Sequence, residues 1–250
     1  MNGTGELPLA PGGRLSPEGL SALRDRLRMI ERPDHGVTAT GLAEIDSHLP
    51  WSGLPRGALH EIIGSSTDGA PLAFAAHLLG CFAAHGPTLW IGGGFYPPAF
   101  GLWIDSCLAV RTEHYADRLW AAEEALRTKG VGGVLLEVSE IDLTGSRRLQ
   151  LAAESHGAAL LLLRRRAQRG TPSDKENTVS LTRWRVHAAA SAPTAWGGPG
   201  AARWCVELKR CRGGRPGEWI VERDDEKGSV TVVAALRSRP FGAVTAGLAV

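Results

Sequence analysis

The sequence contains no uninterrupted run of 18 apolar residues; the stretch AALLLL at 158–163 is too short to cross a bilayer and fits a buried strand. Its four cysteines, Cys81, Cys107, Cys205 and Cys211, make no C-x-x-C pair, and no histidine stands at zinc-finger spacing from them. The pattern therefore predicts reduced thiols rather than a disulfide scaffold or a zinc module. The eight histidines are scattered with no metal-ligand spacing. Charge of one sign is also not in excess: the net charge is +2 and the pI about 8.5, which alone does not argue for nucleic acid. The first residues place Glu6, Pro8 and Pro11 before any basic residue and have no apolar segment, so no secretory signal is expected. These absences predict a soluble, cytoplasmic protein with no membrane partner. No internal repeat is found. What the chain does have is 250 residues at 43% hydrophobic content, enough to bury the core of one large domain.

Three regions are expected. Residues 1–36 form a Gly/Pro-rich start followed by a short amphipathic helix. Ser16-Pro17-Glu18 reads as its N-cap, and Leu20, Leu23, Leu27 and Ile30 share one face. Residues 37–223 form the core. Strand patterns at 59–63, 88–92, 131–138 and 158–165 alternate with helical patterns at 72–86, 117–130 and 146–157. Such alternation predicts an α/β fold with a mostly parallel sheet flanked by helices. After a polar loop at 167–177 the style changes. The stretch 178–189 alternates apolar and polar residues, and 203–223 reads as two strands around a Gly/Arg/Pro turn. Together they predict an antiparallel C-terminal extension of the sheet. Residues 224–250 are expected as a tail of flexible character with one strand-like run at 230–236.

The most informative stretch is GLPRGALHEIIGSSTDGAP, Gly53 to Pro71. An apolar strand runs into a Gly-bounded loop, Gly64-Ser65-Ser66-Thr67-Asp68-Gly69, and then into an apolar helix. This is the frame of a phosphate-binding loop, but G-x-x-x-x-G-K-[ST] needs Lys at Ala70 and a hydroxyl at Pro71. Without them nothing neutralises the β/γ-phosphates or holds Mg²⁺. Asp68 adds a negative charge, and Pro71 removes an N–H. The segment after the second core strand, IGGGFYPPAFGLW at 91–103, supplies no carboxylate to orient water. Efficient hydrolysis is therefore not expected. Asp68 reads best as a turn or capping residue, and Glu137, which ends the strand VGGVLLE, as a cap or the partner of a nearby Arg rather than a metal ligand.

In order, Thr40-Gly41, Asp46, GLPRGALHEIIG, LWAAEEALRTKGVGGVLLEVSEI, RRLQLAAESHGAALLLL and RWCVELKRCRGGRPGE resemble the core of RecA-type recombinases over residues 37–223. Within that superfamily the chain is most similar to the ImuA family, RecA-like accessory proteins of bacterial mutagenic repair. The resemblance implies a RecA-like P-loop-type core and no enzyme activity: a pseudo-ATPase with a degenerate Walker A loop. It also implies a vestigial nucleotide site at Gly64, Ser65, Ser66, Thr67, Asp68, Gly69 and Glu137. No cofactor is expected, with weak ATP binding left open. The implied partners are an ImuB-like Y-family polymerase homologue, RecA, an error-prone C-family polymerase and DNA. The implied setting is SOS-induced translesion synthesis, with nucleoid association during DNA damage. Two other readings stay open, a nucleotide-dependent DNA-binding RecA-like protein and a SulA-type cell-division inhibitor.

Two basic clusters are candidates for DNA or partner binding. Arg164, Arg165, Arg166 and Arg169 follow the fourth strand, and Lys209, Arg210, Arg212 and Arg215 lie in the late hairpin. Four Arg within six positions repel one another unless an anion meets them, so the first cluster is expected to face a partner. Arg183, Trp184 and Arg185 interleave base and aromatic as a stacking platform could, although Trp184 fits the core better.

Overall fold

The computed structural model describes residues 16, 19, 33–92, 107–166, 178–194, 196–198, 200–224 and 228–238. Nine strands form one sheet: β3 (Leu59–Ser65), β4 (Thr88–Gly92), β5 (Cys107–Arg111), β6 (Gly133–Val138), β7 (Ala159–Arg166), β8 (Thr182–Ala189), β9 (Arg203–Cys211), β10 (Gly217–Asp224) and β11 (Ser229–Ser238). Their order is β11-β10-β9-β8-β3-β7-β6-β4-β5. The six strands from β5 to β8 in that order are parallel, and β9, β10 and β11 continue antiparallel. This is the expected α/β, RecA-like core. A small antiparallel pair, β1 (Val37–Thr38) with β2 (Leu54–Pro55), and a short helix α1 (Ala43–Asp46) precede it.

The strands that cross the middle are apolar because helices cover both of their faces. Along β7, Leu161 and Leu163 pack with helix α2 (Ala70–Phe82), while Leu160 and Leu162 pack with α3 (Tyr115–Arg127) and α4 (Leu143–His156). Each such buried leucine is worth about 2 kcal/mol in transfer terms. Helix α4 starts at an Asp142 cap that accepts the Gly145 N–H at 2.7 Å, and it ends at Gly157, whose φ of +79° closes the C-terminus. The T-G-x-x-x-x-D segment is a built turn. Asp46 accepts the Thr40 N–H at 3.0 Å, and Gly41 sits at φ +78°. Behind β3, a polar chain threads the core. Trp184 Nε1 donates to Thr182 Oγ1 (2.8 Å), that hydroxyl donates to His60 Nδ1 (2.9 Å), and His60 Nε2 donates to Pro55 O (2.9 Å). Complete burial drives the His60 pKa down to about 4, so the ring is neutral.

Two boundaries differ from expectation. The core does not stop at 223: that position lies inside β10, and β11 adds a ten-residue strand to the sheet up to Ser238. Strand β5 was not expected, because CLAVR is short and Leu108 on it is exposed at the sheet edge. Of the N-terminal helix, only the Gly19 N–H on Ser16 Oγ at 3.0 Å is described; its apolar stripe lies outside the described residues, as does 93–106.

Candidate functional site

The loop 66–69 lies at the C-terminal end of β3, with α2 behind it. Hydrogen bonds made by its own side chains hold it in place. Asp68 Oδ1 accepts the Ala70 N–H at 2.8 Å, and Oδ2 accepts the Ala188 N–H at the end of β8, also at 2.8 Å. A carboxylate thus stands at the helix N-terminus, where a phosphate would otherwise meet the amides. The loop hydroxyls are turned on the loop itself: Ser65 Oγ and Thr67 Oγ1 are 2.8 Å apart, and the Thr67 N–H reaches Ser65 Oγ at 3.2 Å. The Pro71 ring lies against Gly64. A Cβ on Gly64 would run into that ring and stand 2.9 Å from Val186 O, so only glycine fits there. Gly69 carries no such demand. Its φ is −78° with open space around it, so the tight turn does not depend on a second glycine.

Glu137 ends in the same region. Its Oε1 accepts Trp90 Nε1–H at 2.6 Å, and its Oε2 pairs with Arg165 Nη2 at 2.9 Å. A Cβ on Gly92 would come within 2.6 Å of Oε1, so the carboxylate lies across a glycine of β4. Arg165 stands opposite Gly64 in the β3–β7 register. The Arg165 cation beside the loop is therefore neutralised by Glu137.

Arg164 and Arg165 do not form a solvent-facing loop. They lie near the end of β7, where successive side chains point to opposite faces. Arg164, 3% exposed, donates from Nη1 to Glu61 Oε1 at 2.7 Å. Arg183 Nε donates to Glu61 Oε2 at 2.7 Å, as does the Thr178 hydroxyl at 2.7 Å. Burial pushes the Glu61 carboxyl up, but bonds from Arg164 and Thr178 and the Arg183 charge outweigh it and hold the carboxyl below its ordinary value. Arg164 is thus committed inside the protein and is not available to DNA or a partner. The side chain of Arg166 and all of Arg169 lie outside the described residues. Arg183 is in this buried hub, and Trp184 packs on Phe74 with ring centroids 5.6 Å apart, so the two make no stacking platform.

The second cluster begins at the end of β9, which runs antiparallel to β8 so that Arg210 pairs with Arg183 and Cys211 with Thr182. Lys209 is 3.4 Å from Glu207. Arg210 Nη2 donates to Ser180 O at 2.6 Å, and Arg215 Nη2 to Ser47 O at 3.1 Å; Arg212 is exposed. Ser180 Oγ accepts from Arg210 at 3.0 Å and donates to Glu61 Oε2 at 3.3 Å, so the fold links Arg210 of the second cluster to the carboxylate that Arg164 pairs with. The buried hub was foreshadowed by Glu61 itself, an acid inside the apolar run LHEII, since a buried carboxylate demands cationic partners. Among the described residues, no helix is long and apolar enough to cross a membrane.

No protein-family model matches the chain. It is similar to Protein ImuA of Caulobacter vibrioides, from strain NA1000 / CB15N and from strain ATCC 19089 / CIP 103742 / CB 15. Each is 37% identical over 205 residues, covering 76% of this chain and 84% of the relative. That likeness spans most of both chains and agrees with the RecA-like sheet: the chain belongs to the ImuA family.

Proposed function

We propose that the chain is a non-catalytic RecA-like adaptor in SOS-induced DNA repair. In this reading it supports error-prone translesion synthesis through contacts with an ImuB-like Y-family polymerase homologue. The observation that carries the non-catalytic part is the Asp68 carboxylate, lodged between the Ala70 and Ala188 amides. Phosphoryl transfer depends on cations and donors set around the transferring group. Here the donor positions hold an internal anion, a ring fills the space over Gly64, and Glu137 is paired with Arg165. The family supports the mutagenesis setting and the partner.

Two measurements test this. Phosphate release with ATP and Mg²⁺, with and without single-stranded DNA, is expected to stay at background. Co-purification with the ImuB-like protein is expected without nucleotide. Turnover comparable with a working recombinase rejects the non-catalytic reading, and failure to bind the ImuB-like protein rejects the adaptor reading.

A further inference from the structure

The β8–β9 hairpin carries a feature that the folded core does not use. From Ala188 to Ala202 there is no ionisable side chain. In the middle stands Trp196, 96% exposed. A tryptophan is the largest apolar side chain, and leaving it in water forfeits more burial than any other residue would.

The turn beneath it is built. The Thr194 N–H donates to Gly198 O at 3.1 Å, the Gly198 N–H donates to Thr194 Oγ1 at 3.0 Å, and the Gly197 N–H donates to Thr194 O at 3.0 Å. Gly197 sits at φ +74°, in the left-handed region. A Cβ on Gly200 would strike Ala192 O, so the two arms of the hairpin approach as only glycine permits. The base of the hairpin is tied to the phosphate loop by the Ala188 N–H on Asp68 Oδ2. Because β3 and β8 are parallel, the turn projects from the same end of the sheet as that loop.

We infer that Trp196 on this turn is the anchor by which the protein docks a partner protein, inserting its indole into an apolar slot. Nucleic acid does not fit this segment. Binding a phosphate backbone needs cations beside the stacking ring, and 188–202 supplies none. A bilayer does not fit either, because Trp196 is flanked by Gly and Ala rather than by other apolar anchors or basic residues. A lone aromatic on a preformed turn with a neutral surround is the make-up of an interface hot spot.

The inference rests on the adaptor reading above and names its contact, so the test uses the full chain with the ImuB-like protein. Trp196→Ala and Trp196→Phe are compared with the unaltered protein by calorimetry. Expected are an affinity loss of about tenfold or more for Trp196→Ala, partial recovery with Trp196→Phe, and an unchanged melting temperature for both. Equal binding by the unaltered protein and Trp196→Ala overturns the inference and leaves the adaptor reading standing. No binding by the unaltered protein removes both. Sedimentation showing a dimer that Trp196→Ala dissociates, or a loss confined to single-stranded DNA binding, overturns it in favour of a second copy or of nucleic acid.

Discussion

Arg164 and Arg183, on strands either side of β3, share one carboxylate: each bonds a different oxygen of Glu61 at 2.7 Å. Neither residue is more than 7% exposed, and Glu61 is wholly buried. Removing the shared anion leaves two buried cations facing one another. Glu61→Gln is therefore expected to lower unfolding free energy by about 3–5 kcal/mol. Urea denaturation at neutral pH measures it. A loss below about 1 kcal/mol, the worth of an ordinary hydrogen bond, would show that water enters the hub.

His60 makes stability fall in acid. Its folded pKa of about 4 lies below the ordinary 6.5, so the neutral ring favours the fold in full above about pH 6.5. That contribution is lost as pH falls through the window down to about 4, and it amounts to roughly 3 kcal/mol. Burial also lowers the His77 pKa, so the slope has more than one source. The difference between the unaltered protein and His60→Gln isolates the first. Chemical denaturation between pH 4 and 7 should show a flatter profile for the variant, and parallel profiles would refute the assignment.

Gly64 and Pro71 should be energetically coupled. Gly64→Ala presses a methyl group into the Pro71 ring and toward Val186 O, costing about 1–3 kcal/mol. Pro71→Ala removes the ring and should return part of that loss, the Val186 contact remaining. A double-mutant cycle reads the coupling, expected at about 0.5–3 kcal/mol. Additive effects would mean that ring and strand do not touch.

Truncation at 224 and truncation at 239 should differ. The first removes β11, whose Ala234 and Ala235 pair with Ile220 and Trp219, and leaves β10 as a new open edge. The second removes neither strand. Differential scanning calorimetry should place the shorter chain at least about 2–4 °C lower in Tm, corresponding to a loss of about 1 kcal/mol or more. Equal melting would place β11 outside the cooperative unit.

The parallel core was legible because burial on both faces leaves unbroken apolar runs, as at 131–138 and 158–163, and because helices such as 117–130 carry their own stop signals. The strand–loop–helix at 59–82 was legible as local text. The fate of the Arg run was not. A row of like charges reads as a loop facing an anionic partner, yet in a strand neighbours face opposite ways, and Arg164 and Arg165 each find an acid distant in sequence, Glu61 and Glu137. The Asp68 tie to Ala188 spans the same kind of distance and leaves no trace in nearby spacing. Strand β5 was hidden because an edge strand needs neither burial nor alternation.

The fit of the Pro71 ring over bare Gly64 makes the path to a G-x-x-x-x-G-K-[ST] loop steep. Replacing the ring by a hydroxyl side chain opens a gap above a residue that has nothing to fill it. A lysine at position 70 would arrive beside an Asp68 already holding that residue's amide. Freeing Asp68 cuts the tether to β8 before any ligand has replaced it. Each single step toward that loop sequence thus yields a less stable chain, and only several changes made together would cross that barrier.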